Sequence, residues 1–386
     1  MRRTILHQRS LILSNVSAEM SLEPAASLVS IIIPCYNAER WVQEAVESCL
    51  DQSYPNIEII VVDDGSTDRS LEILRRYLPH IRLETGPNRG GNCARNRGFA
   101  LSSGEYVQYL DADDYLQPDK IATQVRFLEQ TNADAVYGDF RYRRHLPDVR
   151  FSYLDRVQSS GAQPDILASL LSFWVVNGGA ILYRRRAIDR VGGWDETLKA
   201  AQDTDFLISV ALSGATICYQ PGCNFVYRKY GAVTVSTSNL GRWLQNMRSC
   251  LSKSETALVN SRRLTGQYMA ALATGYFEIA RACYSYDARA SFEIYARTLD
   301  DLVKKILEMQ PQFVPTNESR IFTALQRSVG LRLAMHLLFR VRGATNIVRA
   351  GLRSTFLFDI ILRMRGVKIE CEGDRRPAPD GAKTFR

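Results

Sequence analysis

The stretch LVSIIIPCYNAERWVQEAVESCLDQSYPNIEIIVVDD, residues 28–64, decides the fold. It opens on an apolar run broken only by Ser30 and ended by Pro34, the pattern of a buried strand. Residues 39–52 then carry Trp41, Val42, Ala45, Val46 and Cys49 at helical spacing, and IEIIVVDD (57–64) is a second buried strand. Strand, helix and strand in this succession read as one unit of a parallel sheet.

The alternation continues outward. STDRSLEILRRYL (66–78) predicts a helix with Ser66 or Thr67 as N-cap, and GEYVQYL (104–110) a strand. PDKIATQVRFLEQ (118–130) predicts a helix opened by Pro118, followed by the strand ADAVYGDF (133–140). The fold class is therefore α/β: a Rossmann-like, mostly parallel sheet with helices on both faces. Past about residue 235 the texture changes to long helical stretches. The expected organisation is a flexible leader over 1–27, the α/β domain over 28–235, a helical region over 236–373 and a disordered tail over 374–386.

Composition bounds the function. The chain has 386 residues, 46% of them hydrophobic, and a net charge of +8, which favours anionic partners such as phosphates, nucleic acid or an acidic lipid surface. Eight cysteines are scattered without a C-x-x-C pair, and four histidines are too dispersed for a zinc cluster. The thiols read as mostly buried and free, in a reducing cytoplasm. The N-terminal LIL is too short for a signal-peptide core. The uncharged runs 166–183 and 206–227 contain Gly and Asn and read as buried helix-and-strand pairs, not membrane spans.

In open parallel sheets, ligands bind beyond the carboxyl ends of the strands. Asp63 and Asp64 end one strand, Asp111 and Asp113 follow another, and Pro34, Cys35, Tyr36 and Asn37 lie at the end of the first. Taken singly, DDGSTD is an ordinary turn and Asp-x-Asp a common triplet. Together at successive strand ends they mark a site. Asp111, Asp113 and Asp114 would repel one another without a cation or open water. An EF-hand loop counted from Asp111 needs Gly and Glu where Leu116 and Ala122 stand. A haloacid-dehalogenase nucleophile needs Thr or Val where Tyr115 stands. The loop PCYNAERW is not the Gly-rich, Arg-containing loop of a sugar nucleotidyltransferase. Neither a Walker loop nor G-x-G-x-x-G occurs.

Residues 29–74 strongly resemble the opening of the family 2 glycosyltransferases, and NRGGNCARNRGFALSSGEYVQYLDADD (88–114) and GGWDETLKAAQDTDFLISVALSG (192–214) match later motifs in order. The resemblance covers about 28–235. It implies a GT-A fold and inverting transfer of a sugar from a nucleotide diphosphate, most readily a UDP-sugar, to a hydroxyl. By position, Pro34, Tyr36 and Asn37 would line the base and ribose pocket, Asp63 and Asp64 would hold the nucleoside, and Arg95 would approach the base or phosphates. Asp111 and Asp113 match the metal-binding Asp-x-Asp, which implies Mn²⁺ or Mg²⁺, hard cations that prefer carboxylate oxygen. Asp203 matches the general base, with Asp195 and Asp205 as rivals. Asp203 also stands where an Asp would cap a helix in any case.

Two positions depart from the family pattern: Gln202 replaces the usual Glu before the base, and YRKY (227–230) has Tyr230 where His is common. Arg228 or Lys229 would then carry the diphosphate contact. NGGA (177–180) would form the acceptor edge, its glycines permitting close backbone approach. Trp194 would either stack on a sugar or fill the core.

Residues 331–366 interleave aliphatics with Arg332, Arg340, Arg342, Arg349, Arg353, Arg363 and Arg365. They read either as a solvated helix face or as an amphipathic segment on the inner face of the cytoplasmic membrane, suited to lipid-linked acceptors of bacterial envelope or exopolysaccharide assembly. Nucleic acid is disfavoured, because the basic residues alternate with aliphatics and not with stacking aromatics. Two other functions stay open on the letters alone: a nucleotide-sugar-binding protein without transfer, and a sugar-phosphate nucleotidyltransferase.

Overall fold

In the computed structural model, the described residues are 26–145, 151–230, 240–286, 292–315, 322–323 and 325–335. The leader up to residue 25, the basic segment beyond 335 and the tail lie outside them.

The opening stretch folds as its pattern dictates. β1 (Val29–Cys35), α1 (Val42–Leu50) and β2 (Ile57–Asp63) follow one another, and β1 pairs in parallel with β2 so that Cys35 lies opposite Asp63. Ile31, Ile32 and Ile33 are fully buried, as are Val42, Ala45 and Val46 on the inward stripe of α1. Each of these isoleucines and valines contributes about 1.5–3 kcal/mol of burial. After α2 (Ser70–Arg75), β3 (Arg82–Thr85) pairs in parallel with β2; after α3 (Gly91–Leu101), β4 (Tyr106–Tyr109) pairs in parallel with β1.

The sheet continues through antiparallel strands. β5 (Tyr115–Leu116), α4 (Lys120–Thr131), β6 (Ala135–His145), β7 (Phe151–Gln158), α5 (Ile166–Leu171), β8 (Ile181–Arg184), α6 (Arg185–Asp189), α7 (Gln202–Leu212) and β9 (Ile217–Tyr230) give the order β3-β2-β1-β4-β8-β6-β9-β5, with β7 beside β6. β8 runs antiparallel to β4 and β6, and β9 antiparallel to β5. The two uncharged runs become α5 with β8 and α7 with β9, helix-and-strand pairs as expected, but residues 217–222 of β9 are half-buried to exposed. Among the described residues no helix is long and apolar enough to cross a membrane.

The cap of α2 differs from expectation. Ser66 Oγ accepts from the amide of Asn37 at 3.0 Å, and the amide of Thr67 donates to Asn37 Oδ1 at 2.8 Å, so both candidate caps are committed to the neighbouring loop. Asp68 serves the helix instead, its Oδ1 accepting from the amide of Ser70 at 2.9 Å. An Asx oxygen near a helix start does the same work wherever the backbone places it.

The chain divides into two compact units. One holds residues 1–141, 178–192 and 220–227; the other holds 142–177, 193–219 and everything from 228. The second holds β7 and most of the helices, with α5 and α7 joined by α8 (Leu240–Asn260), α9 (Gly266–Tyr286) and α10 (Phe292–Met309). Its core includes Phe206, Leu251, Leu272 and Phe277, with the Phe277 ring against Phe313 and Phe322. Cys35, Cys49, Cys93 and Cys250 are buried free thiols and Cys218 is partly exposed.

Candidate active site

Three loops meet at the carboxyl edge of the parallel strands because the register puts Cys35 beside Asp63 and Ile32 beside Tyr109. The first loop leaves Tyr36 and Asn37 exposed and Pro34 half-buried, with Asn37 in the left-handed region at φ 49°. It is stitched to the second loop: the amide of Ala38 donates to Ser70 Oγ at 2.8 Å and that of Glu39 to Asp68 Oδ2 at 3.0 Å. An exposed aromatic on a fixed backbone is what a flat base needs for stacking.

Asp63 and Asp64 are 2% and 7% exposed, and they work on the backbone. Asp64 accepts from the amides of Arg89 (2.9 Å) and Gly90 (2.7 Å), ordering the entry to α3. Asp63 Oδ2 accepts from the amide of Ser66 at 3.3 Å, and its buried Oδ1 has no hydrogen-bond partner among the described residues. The Cys35 thiol is pushed up to about 12, by burial first and by Asp63 second, so it stays protonated beside that carboxylate. Gly65 completes the turn at φ 78°, where a Cβ would stand 2.8 Å from the amide nitrogen of Asn88, so no other residue fits.

Beyond β4, the ligand oxygens of Asp111, Asp113 and Asp114 all lie within 4.8 Å of one another. Asp111 and Asp113 are half-exposed and Asp114 is buried. Arg95 reaches this cluster from α3: its Nη2 donates to Asp111 Oδ1 at 2.7 Å and its Nη1 to Asn92 Oδ1 at 3.1 Å. The guanidinium is 8% exposed on its side chain, so it is a fixed positive charge against the acidic cluster. Three hard oxygen donors, two of them open, fit Mg²⁺ or Mn²⁺ better than any softer metal. Asp114 stood in the acidic trio read from sequence, but Asn92 was not singled out; α3 buries Asn92, Cys93, Ala94, Arg95 and Gly98, a polar and small face that hydropathy does not mark.

The NGGA turn is held from below by a buried polar cluster. Lys120 is fully buried, and its Nζ donates to Gln124 Oε1 at 2.6 Å and to Gln108 Oε1. Gln108 Nε2 donates to the carbonyl of Gly179 at 3.0 Å and Gln124 Nε2 to that of Ala180 at 3.1 Å. Burial pulls the Lys120 ammonium well below its ordinary range. Gly179 is small for a packing reason, since a Cβ would stand 2.2 Å from the Phe225 ring.

Asp203 belongs to the second unit, half-exposed in the first turn of α7. The N-cap is Ala201, so Asp203 is no cap. Its rivals are engaged: Lys253 Nζ donates to Asp195 Oδ2 at 2.8 Å and to Asp205 Oδ1 at 2.9 Å. Hydrogen bonds from Lys253 and Thr197 hold the Asp195 carboxyl down at about 2, which makes it a poor proton acceptor. Trp194 is a core residue, 6% exposed and stacked on Phe206 at 4.2 Å. Arg228 is buried, and the side chains of Lys229 and Tyr230 lie outside the described residues.

The profile of glycosyl transferase family 2 matches residues 30–192. An uncharacterized glycosyltransferase of Haemophilus influenzae is 40% identical over 119 residues, 30% of this chain and 48% of that protein. Glycosyltransferase GlyG of Streptococcus pneumoniae is 38% identical over 119 residues, 30% of this chain and 40% of the relative. Chondroitin synthase of Pasteurella multocida is 29% identical over 201 residues, 50% of this chain and 20% of the relative. The chain thus spans less than half the length of these relatives. Among solved structures, residues 1–349 of S. aureus TarS in complex with UDP-GlcNAc superpose with a TM-score of 0.62 at 19% identity, covering 80% of this chain and 90% of that one. That likeness establishes the fold.

Proposed function

We propose that the protein, whose residues 30–192 match glycosyl transferase family 2 and which has a GT-A fold, moves a sugar from a nucleotide diphosphate, a UDP-sugar first, to a hydroxyl acceptor with inversion. The observation that carries this reading is the carboxylate cluster of Asp111, Asp113 and Asp114 beside Arg95, at the sheet edge where Tyr36 and Asn37 stand exposed. The UDP-GlcNAc held by the similar TarS structure supports a nucleotide-sugar donor.

In this reading Pro34, Tyr36 and Asn37 receive the base and ribose, and Asp63 and Asp64 shape that pocket through the loop amides they fix. Arg95 places a positive charge near the diphosphate. A divalent ion held by Asp111 and Asp113 would supply neutralisation of the charge on the departing diphosphate. Asp203 accepts the acceptor hydroxyl's proton as that oxygen bonds to the anomeric carbon, and the carbon–diphosphate bond breaks with its electron pair leaving on the phosphate oxygen. One base and no protein nucleophile give a single displacement, hence inversion. The chondroitin synthase among the relatives favours a saccharide acceptor, consistent with bacterial envelope or exopolysaccharide assembly.

Thermal unfolding with a panel of nucleotide sugars, with and without Mn²⁺, tests the donor. A ligand at a hundred times its Kd adds about 2.7 kcal/mol to stability. One nucleotide sugar should raise Tm, and more so with the metal; no shift from any member of the panel would reject the reading.

We also place the protein on the inner face of the cytoplasmic membrane through residues 331–366, on the strength of their arginine series. Charge reversal at Arg349 and Arg353 should abolish flotation with anionic vesicles. Equal flotation of the variant and the parent chain would dismiss this contact.

A further inference from the structure

The family match ends at residue 192, yet the segment that carries Asp203 is fastened by a helix well outside it. Asn246, Cys250 and Lys253 follow one another on one face of α8. Asn246 Nδ2 donates to the carbonyl of Ala200 at 3.0 Å. The buried Cys250 thiol lies against the Asp205 carboxylate. Lys253 Nζ reaches Asp195 Oδ2 at 2.8 Å and both oxygens of Asp205, at 2.9 and 3.2 Å. Asp195 Oδ1 in turn accepts from the amide and hydroxyl of Thr197, at 3.0 and 2.6 Å.

These ties bracket Asp203 on either side. Ala201 enters α7 at φ 57°, a left-handed conformation that a residue with a Cβ adopts only when its surroundings hold it there. The Asn246 bond grips the carbonyl just before Ala201. Lys253 grips the carboxylate of Asp205, which is 5% exposed, through both of its oxygens. Asp203 lies between the two anchors, on the same helical turn as Asp205.

We infer that Lys253 is a positioning residue for the reaction, fixing through Asp205 and Asp195 the turn that presents Asp203. This rests on the reading of Asp203 as general base. It makes the helices beyond the family match part of the catalytic machinery and not an appendage, since displacement of a reacting group by about 1 Å can cost about a hundredfold in rate.

The test uses the full chain. Lys253→Met should lower kcat by about tenfold to a hundredfold with donor and acceptor KM unchanged, and Lys253→Arg should restore most of it. An ion pair that only stabilises the fold would leave kcat alone in any variant still folded at the assay temperature, as judged by circular dichroism. Asn246→Ala, which strands no buried charge, should lower kcat in the same way and keeps the question open to decision if Lys253→Met does not fold. Wild-type kcat in folded Lys253→Met or in Asn246→Ala, a loss confined to KM, or equal losses in the Met and Arg variants would overturn the inference. Asp203→Asn is assayed alongside. Collapse there with normal turnover in the Lys253 variants overturns the positioning role alone, whereas unchanged transfer in Asp203→Asn removes the base and this inference with it.

Discussion

Asp203→Asn is expected to reduce transfer by about 10²–10⁴-fold, the usual contribution of a general base, while the Tm increase produced by a nucleotide sugar stays as in the parent protein. The substitution keeps shape and hydrogen-bonding reach but removes the group that takes a proton. Neither neighbour can stand in. Asp205 is buried against Lys253, and Asp195 is held near 2 by Lys253 and Thr197. Asp203, by contrast, is half-exposed in the first turn of α7. The site of the loss is therefore kcat, and donor affinity is the internal control. Transfer at the parental rate would show that another group accepts the proton. Loss of the donor-induced Tm shift together with activity would mean that Asp203 shapes the binding site and is not the base.

The parallel strand β3, RLET, carries no aliphatic run, but β1, α1 and β2 were legible because their residues obey one rule each: aliphatic runs interrupted only by Ser30 and Glu58 for the strands, a clean apolar stripe for α1. Helix α3 was not, since its buried face is Asn92, Arg95 and small residues. Such a face is set by what it meets, here Asp111 and the strand edge, and nothing local announces it. The same holds for Lys120. A lysine on an amphipathic helix reads as solvent-facing, yet it is wholly buried because Gln108 and Gln124, one on a strand and one on its own helix, supply its acceptors.

The acidic residues show where letter-reading stops. Their grouping at strand ends followed from the α/β pattern and the carboxyl-edge rule. Their division of labour did not, because it depends on which backbone amide or cation each meets. Asp64 is spent on two amides, Asp111 on a guanidinium, and Asp113 and Asp114 complete the cluster from the same turn. The sequence likewise suggested Ser66 or Thr67 as the N-cap; the N-cap is Arg69, and Asp68 takes the first helical amide, that of Ser70, while the Asn37 loop claims Ser66 and Thr67.

That division of labour sets the second large effect. Asp113→Asn is expected to abolish the extra Tm shift given by Mn²⁺ with a nucleotide sugar and to lower transfer at least as far as Asp203→Asn, with little change in the Tm of the protein alone. The reason is electrostatic. Asp113 is half-exposed, so water screens the loss of its charge, whereas a hard cation loses one of its two half-exposed carboxylates. Asp111→Asn should differ in one respect. It replaces the carboxylate that the buried Arg95 guanidinium meets at 2.7 Å with a neutral amide, and a charged hydrogen bond of that kind is worth about 1.5–3 kcal/mol. The Asp111 variant should therefore melt below the parent even without ligand, and the Asp113 variant should not. If both melt alike and Asp113→Asn keeps its Mn²⁺-dependent shift, the cluster is a structural knot tied by Arg95, and the metal belongs elsewhere.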